Sequence, residues 1–383
     1  MYFRGLDSLR VLLFFLIVLS HSPIDSPLTS VSSFVFLYKC FWVGVQGFFV
    51  LSGFVITNLI IRDIYDGSGF DVFRFLKRRF LKIVPAFYFV SFITVFLLPH
   101  LAIFSSSPSW NTLPIVDSKG YRDTVIALPY FLGFVGNLAY SLDWAAPPTP
   151  ALLMGWTLAV EEQFYLVVAL LFACSGVIKF KCSAKVIVTC LLSLILFSLL
   201  FRIHYLTSDQ TGFAIPTNFV KIAYTHTLSQ MDSIASGCLV ALLFNFSPHH
   251  VLRVNKGWSI AVGLLFLFCV ATFLGEKWVY TVGLTIINTF WGVIVLIIAK
   301  RSNLQPLFFG NALARIGKNG YCLYLVHHIA ILIAVSVIDL RNGAGTDWAF
   351  FTYFARIATT LLISLILAEI LLRTTEKPLR KFR

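Results

Sequence analysis

Charged residues are scarce in this sequence. Asp, Glu, Lys and Arg together make up 12% of the 383 residues, about half the share that is usual in soluble domains. Hydrophobic residues account for 58%, and Phe alone occurs 39 times. This composition excludes a water-soluble enzyme, a disordered chain and a coiled coil, because each of these needs far more charged or polar residues.

Acidic residues are scarcer than basic ones. There are 17 Asp and Glu against 30 Lys and Arg, and the formal net charge is +13. In a soluble protein this excess would suggest nucleic acid as a partner. In a membrane protein its usual cause is an enrichment of Lys and Arg in the cytoplasmic loops. We therefore predict that this protein lies in a lipid bilayer and does not bind nucleic acid.

The common local signatures of catalytic and metal sites are also absent. The sequence has no P-loop, no GxSxG elbow and no HExxH, and its seven cysteines lack CxxC spacing, which favours small buried side chains. Ser52 lies between an apolar residue and Gly, which favours helix packing over a role as nucleophile. His327 and His328 lack the i,i+4 spacing that places two ligands on one helix face, so we predict no metal.

What the sequence does contain is a series of apolar runs about as long as a bilayer is thick, roughly 20 residues. The first run follows a basic start, but no small-residue cleavage site follows it, so we interpret it as a span and not as a signal peptide. The ten runs lie near residues 1–21, 35–61, 83–104, 151–178, 186–206, 226–247, 258–275, 278–299, 320–339 and 349–372. They predict one all-α domain over residues 1–383, a polytopic bundle of about ten transmembrane helices without a separate soluble domain.

Segment 124–142 is an eleventh candidate. If it does not cross the membrane and the N-terminus is cytoplasmic, most of the 30 Lys and Arg residues fall on the cytoplasmic side. If it does cross, every later loop changes side and the asymmetry largely disappears. The positive-inside rule therefore favours ten spans with both termini in the cytoplasm, and segment 124–142 on the outer face or re-entrant.

Ionisable residues in the first run are candidates for chemistry, because a charge at bilayer depth costs at least ~2.5–3.5 kcal/mol. Asp7 and Arg10 are three residues apart on one helical face and can pair. His21 lies roughly 16 Å further along the helix, at 1.5 Å per residue. An interfacial ion pair and an interfacial histidine at the helix end are the simpler structural interpretations, and they stay open here.

Two adjacent carboxylates lie in the fourth apolar run. Glu161 and Glu162 have no neighbouring cation in the sequence, so they need a polar cavity or a partner, such as His21, Arg10 or Asp232. A histidine and a carboxylate in a membrane cavity suit proton abstraction from a hydroxyl, since His titrates near neutral pH and the carboxylate can orient it.

A cluster of basic residues precedes the third run, in the sequence FRFLKRRFLKIVPAFY (residues 73–88). Anchoring of the inner loop or binding of anionic lipid is one interpretation of it. The other is a binding site for a cytosolic polyanion such as a nucleotide-bearing cofactor, because Arg and Lys at the start of a helix suit phosphates. Composition alone does not separate the two.

Seven blocks of the sequence, in order and over nearly the whole chain, resemble the membrane-bound acyltransferase 3 family. The blocks are LDSLRVLLFFLIVLSH (6–21), QGFFVLSGFVIT (46–57), RRFLKIVPAFY (78–88), WTLAVEEQFYL (156–166), DSIASGCLVALL (232–243), GYCLYLVHH (320–328) and EKPLRK (376–381). The resemblance implies a multi-spanning protein that acetylates sugars of bacterial surface glycans or smaller molecules.

The resemblance also implies roles for particular residues. His21 matches the histidine of the family's first span and Arg10 the arginine of its opening block. Arg79 and Lys82 fall on an R-x-x-R pair associated with the acyl-CoA donor, with Lys82 as a departure that Arg78 could compensate. The further matches are Glu161 and Glu162 in the W-S-L-x-x-E-E block, His327 in the L-Y-L-W-H block, and Trp156, Tyr165 and Asp232 as supporting residues.

From these observations we expect an O-acetyltransferase of the bacterial inner membrane that uses acetyl-CoA. Its expected acceptor is a hydroxyl of a cell-surface or lipid-linked sugar, as in lipopolysaccharide or capsule. His21, oriented by Glu161 or Glu162 and supported by Asp7 and Arg10, would take the proton of that hydroxyl. The chain resembles the stand-alone branch of the family. The alternative is a transporter or flippase in which the buried His and Glu residues relay protons.

Overall fold

The protein is described by a computed structural model over residues 3–24, 26–65, 70–101, 118–146, 148–176, 180–208, 217–246, 254–301, 310–338 and 346–382. These residues form helices and no strand. Ten of the described helices have 18 residues or more: α1 (Arg4–His21), α2 (Val43–Tyr65), α3 (Val72–Phe92), α4 (Gly155–Gly176), α5 (Phe180–Ser208), α6 (Thr227–Phe246), α7 (Val254–Leu274), α8 (Leu284–Arg301), α9 (Gly320–Val337) and α10 (Thr346–Leu371).

These ten helices confirm the all-α polytopic bundle predicted from the apolar runs. Nine of them, α2 to α10, lie in helical stretches long and apolar enough to cross a membrane. Helix α1 has 18 residues but carries Arg4, Asp7 and Arg10 in its first half. Large apolar side chains stay exposed on the outside of the bundle, such as Phe273, which is 86% exposed. A lipid bilayer covers such a surface at no cost, so the chain is an integral membrane protein.

The basic cluster lies within helix α3. The prediction that it lies in a loop before a span is therefore wrong. Helix α3 already begins at Val72, because the Asp71 side chain caps it by accepting a hydrogen bond of 2.9 Å from the Arg74 N–H. Long unbranched side chains such as Lys and Arg also favour helix. The basic residues are therefore fixed on helical faces, and only some of them point into the bundle.

Segment 124–142 does not form one long helix. It belongs to two shorter ones, Ser118–Leu132 and Gly136–Ser141, separated by a turn in which Phe134 has a φ of 55°. The side chain of Gln163 on α4 holds this turn, since its Nε2 donates to the Phe134 carbonyl at 2.7 Å. Neither helix is long enough to cross a bilayer. This agrees with a surface or re-entrant segment, while the sidedness of the termini stays a prediction.

Helices α2 and α6 cross at very close range through two glycines. A Cβ on Gly53 would lie 2.1 Å from the Ile234 carbonyl oxygen, and one on Gly237 would lie 1.9 Å from the Val50 carbonyl oxygen. Small residues permit such backbone contact between membrane helices. The contact fixes the rotation of α2 about its axis and therefore the direction of Ser52, next to Gly53.

Candidate active site

A cavity of about 240 Å³ lies between α1, α2, α3, α4 and the start of α9. Its wall follows α1 from Asp7 to Ile17, which is roughly 15 Å at 1.5 Å per residue. Apolar side chains from α2 and aromatic side chains from α9 form much of the rest. Its chemically active lining residues are Asp7, Arg10, Ser52, Arg79, Lys82, Glu161, Tyr165, Lys318, Tyr321 and Tyr324.

One end of this cavity is strongly basic. Arg10 forms an ion pair with Asp7, as the i,i+3 spacing predicts. Arg79 and Lys82, one helical turn apart on α3, line the same space. Arg78 points elsewhere, toward Asp63, whose Oδ2 lies 3.8 Å from the guanidinium, and it is not part of the lining. Two of the three cations predicted to bind the donor therefore line the cavity.

Glu161 is part of a hydrogen-bonded cluster in the cavity wall. The hydroxyl of Tyr165 donates to Glu161 Oε2 at 3.0 Å, and Ser52 Oγ lies 2.6 Å from the same hydroxyl. The guanidinium of Arg79 stands 5.7 Å from the centre of the Tyr165 ring. Glu162 Oε1 is buried without a hydrogen-bond partner among the described residues. The two adjacent carboxylates therefore have different surroundings, and Glu161 is the one that lines the cavity.

A cluster of three histidines lies beyond the other end of the cavity. The ring of His21 is centred 5.3 Å from that of His327 and 4.6 Å from that of His328. His21 is exposed, whereas His327 and His328 are buried. The cluster is next to the cavity along α1 and α9. Ile17 and Tyr324 line the cavity, and each lies one turn before a histidine of the cluster.

Backbone hydrogen bonds fix which nitrogens of the cluster can accept a proton. His21 Nδ1 lies 2.9 Å from the Ile17 carbonyl, and His327 Nδ1 bonds to the Tyr324 carbonyl. A carbonyl only accepts, so each Nδ1 carries the proton and each Nε2 keeps its lone pair. His327 Nε2 is buried and has no partner among the described residues. The cluster is therefore arranged to receive a hydrogen-bond donor.

The predicted contact between His21 and the Glu161–Glu162 pair does not occur among the described residues. Glu161 bonds to Tyr165, while His21 meets Ile17, Ser20 and the other two histidines. The reason is that Glu161 bonds to Tyr165, which lies beside Arg79 in the cavity wall, whereas His21 is the last residue of α1 and does not line the cavity. The groups that orient His21 are a backbone carbonyl and two imidazoles, not a carboxylate.

Asp232, predicted as a supporting residue or as a partner of the two glutamates, is instead paired with Arg202 of α5. The two side chains are fully buried, with Arg202 Nη2 2.7 Å from Asp232 Oδ2. Thr285 of α8 donates to the same carboxylate oxygen at 3.0 Å. Neither residue of the pair lines the cavity. Trp156 is likewise buried, and its ring packs 5.1 Å from that of Tyr224, so both residues stabilise the bundle.

Three residues that the structure brings to the site were not predicted to belong to it: Tyr321, Tyr324 and His328. They share one side of α9 with His327, which the family resemblance did imply, and their i,i+3 and i,i+4 spacing was a visible signal. The hydroxyl of Tyr324 lies 2.7 Å from Thr157 Oγ1, which ties α9 to α4. No spacing rule could have shown that His21 joins this pair, because helix packing alone makes that contact.

The third histidine also changes the argument about metals. The absence of i,i+4 spacing in the His327–His328 pair was the reason to predict no metal. With His21 included, one ligand nitrogen from each ring lies within 4.8 Å of the others, so the three could hold a metal ion. The cluster therefore offers two chemical uses, acceptance of a proton and coordination of a cation.

Comparison with known proteins shows that the chain is similar to O-acetyltransferases. The chain is 28% identical over 354 residues to "O-acetyltransferase OatA" of Staphylococcus aureus, covering 89% of this chain and 53% of the relative. It is 25% identical over 358 residues to "Peptidoglycan O-acetyltransferase OatA" of Listeria monocytogenes, covering 89% and 51%. The chain thus spans about half the length of these relatives. No solved structure matches it.

The family profile described as an acyltransferase domain matches residues 3–369. This range includes all of the residues that line the cavity and the whole histidine cluster. The match extends over nearly the full chain, as the seven sequence blocks predict. The chain belongs to the acyltransferase 3 family.

Proposed function

We propose that this chain is a membrane O-acetyltransferase that moves an acetyl group from acetyl-CoA to a hydroxyl of a bacterial surface glycan. Family membership supports acyl transfer, and the printed names of the relatives support an O-acetyltransferase acting on a glycan such as peptidoglycan. The proposed location is the bacterial inner membrane. There the donor comes from the cytoplasm and the acceptor from the outer side.

The observation that carries the proposal is the course of the cavity. Arg10, Arg79, Lys82 and Lys318 give one end a positive charge that suits the phosphates of CoA. The cavity then follows α1 for roughly 15 Å and stops one helical turn before His21. A donor with its phosphates at the basic end can therefore extend its acyl arm toward the histidines.

At the histidine end, His21 would act as the general base. Its Nε2 keeps a lone pair because Nδ1 donates to the Ile17 carbonyl. The acceptor hydroxyl would give its proton to this nitrogen while its oxygen attacks the acetyl carbonyl. His21 is exposed, which gives the acceptor access, and its ring contacts the buried rings of His327 and His328, which keep it in place.

The donor site is tested by the Arg79→Ala/Lys82→Ala variant. We expect its Kd for acetyl-CoA to rise by about tenfold or more, because charge-assisted hydrogen bonds contribute about 1.5–3 kcal/mol each. Binding is measured by calorimetry on detergent-purified protein. The matched control is Arg74→Ala/Lys77→Ala, which removes the same charge from the same helix at exposed positions outside the cavity. Equal losses in both variants would mean that general charge, and not this site, binds the donor.

Transfer itself is tested with acetyl-CoA labelled in the acetyl group and peptidoglycan fragments as acceptor. We expect label in an ester of the glycan and release of free CoA. A folded protein that neither binds acetyl-CoA nor releases CoA would contradict the proposal and favour a transporter.

The use of the histidine cluster for proton transfer predicts a protein without a stoichiometric metal. We expect metal analysis of the purified protein to show less than one transition-metal ion per chain, and a chelator to leave acetyl transfer unchanged. Three histidines are also a common zinc ligand set. If the protein instead contains one zinc ion per chain and a His327→Ala variant loses it, the general-base role of His21 is wrong and the histidines coordinate a metal.

A further inference from the structure

Tyr324 forms the wall of the cavity at the end next to the histidine cluster. It lines the cavity, and its ring is centred 5.2 Å from that of His327, which does not line it. On α9 the lining consists of Gly320, Tyr321 and Tyr324, and it ends there. An acyl arm that extends along the cavity from the basic end therefore meets the Tyr324 ring last.

Hydrogen bonds lock the Tyr324 side chain in this position. Its hydroxyl lies 2.7 Å from Thr157 Oγ1 and 3.3 Å from the Met154 carbonyl oxygen, and Thr157 Oγ1 lies 3.0 Å from the same carbonyl oxygen. A carbonyl only accepts, so the two hydroxyls donate to it or one hydroxyl donates to the other. This triangle uses both hydroxyl protons, and the Tyr324 side chain therefore acts through its volume and not as a proton donor.

Close helix packing keeps the neighbouring wall from yielding. The Phe48 ring of α2 is centred 6.2 Å from the Tyr324 ring, and Ile17 of α1 lines the cavity at the same end. Helices α1 and α2 are in backbone contact there, because a Cβ on Gly44 would lie 2.8 Å from the Leu13 carbonyl oxygen and 3.3 Å from Ile17 Cγ1. A wall packed this closely does not admit extra methylene groups without cost.

We propose that Tyr324 sets the length of the acyl chain that this protein transfers. The ring leaves room for an acetyl group beside Ile17 and excludes longer chains, which need the space that the ring fills. This inference rests on the proposed acetyl transfer and adds to it the residue that selects the donor. Tyr324 determines specificity in this role by contact with the acyl group.

Competition between two donors tests this role. Detergent-purified protein receives acetyl-CoA and butyryl-CoA at equal concentration together with peptidoglycan fragments, and mass spectrometry measures the ratio of the two esters on the glycan. Each additional methylene in an apolar pocket changes selectivity by about 10–200-fold. We therefore expect wild type to form about 100-fold more acetyl ester than butyryl ester, or more. Both esters form in one sample, so their ratio does not depend on how much of the protein is folded.

A series of substitutions at Tyr324 should lower this ratio as the side chain becomes smaller. Tyr324→Phe keeps the ring and should keep most of the selectivity. Tyr324→Ala should lower the ratio by about tenfold or more, chiefly because butyryl transfer becomes faster, and Tyr324→Leu should give a value in between. His327 keeps its hydrogen bond in all three variants, because its partner is the backbone carbonyl of residue 324. Tyr324→Leu decides the test if Tyr324→Ala does not fold.

Tyr321→Ala is the matched control. Tyr321 lies one turn earlier on α9, lines the same cavity, and donates from its hydroxyl to the Ile83 carbonyl of α3 at 2.6 Å. Ile83 follows Lys82, so this tyrosine belongs to the basic end of the cavity. Its loss removes the same side chain at a distance from the acyl group. Any fall in activity should affect both donors equally and leave the ester ratio at the wild-type value.

The outcomes distinguish this inference from the proposed function. If wild type forms both esters at similar rates, or if Tyr324→Ala and Tyr324→Leu keep the wild-type ratio, Tyr324 does not select the donor. If neither variant transfers either acyl group, Tyr324 is needed for the reaction itself and the inference is wrong. Acetyl transfer by wild type still supports the proposed function in each of these cases. A folded wild type that transfers neither acyl group contradicts the proposed function.

Discussion

Replacement of His21 by Ala is expected to lower acetyl transfer to the acceptor by about 100-fold or more, the usual contribution of a general base. The protein should still fold, because His21 is the last residue of α1 and its side chain is exposed. Binding of acetyl-CoA should stay near the wild-type value, since the basic end of the cavity lies more than two helical turns away along α1. The measurement is transfer of labelled acetyl to peptidoglycan fragments, with calorimetry of donor binding on the same sample.

His204→Ala is the matched control for this variant. His204 is an exposed histidine on α5 that contacts the ring of Tyr205 and lies outside the cavity and the histidine cluster. Its loss should leave transfer unchanged. If His21→Ala transfers at more than a tenth of the wild-type rate while it folds normally, another group accepts the proton.

The second large effect concerns stability. We expect Arg202→Met to lower the free energy of unfolding by about 3–5 kcal/mol, the cost of removing one partner of a buried ion pair. The variant leaves Asp232 buried in the bundle, where Thr285 donates to it but no cation balances its charge. Thermal unfolding in detergent, followed by size-exclusion chromatography, measures the loss. Acetyl-CoA affinity of the fraction that remains folded should not change.

The double variant Arg202→Met/Asp232→Leu separates the pair from general damage. Apolar replacement of both partners of a buried ion pair is often neutral or stabilising, so we expect most of the lost stability to return. The control is Arg373→Met, which breaks an exposed pair with Glu369 at the same distance of 2.7 Å and should cost less than about 1 kcal/mol. A double variant as unstable as Arg202→Met would show that the pair is needed for a reason other than charge.

The elements that the sequence predicted well depend on local properties. The length of an apolar run matches the bilayer whatever the rest of the chain does, so ten long helices follow from the ten runs. Their ends are shifted, most of all in α3, which begins at Val72 although its run was predicted to begin near residue 83. The Asp7–Arg10 pair was predictable for the same reason, since residues three apart on a helix are neighbours. The start of α3 was missed because the basic residues were interpreted as a loop.

The candidate site could be predicted only in part. Family blocks pointed to His21, Arg79, Lys82 and Glu161, and the cavity brings the last three together. The blocks could not show which residues touch. Glu161 was assigned to His21, but it bonds to Tyr165, and Asp232 was assigned to the site, although it pairs with Arg202.

By itself, the sequence determined that this chain is a bundle of apolar helices that carry polar residues at a few positions along their length. Composition, run length and helical spacing are properties of neighbouring residues. Only the tertiary structure decided which polar residues meet. His21 joins His327 and His328 from the opposite end of the chain, and Ser52 meets Tyr165 across 113 residues. These contacts arise where the packing of glycines and apolar side chains fixes the rotation of each helix, and that packing depends on all the helices at once.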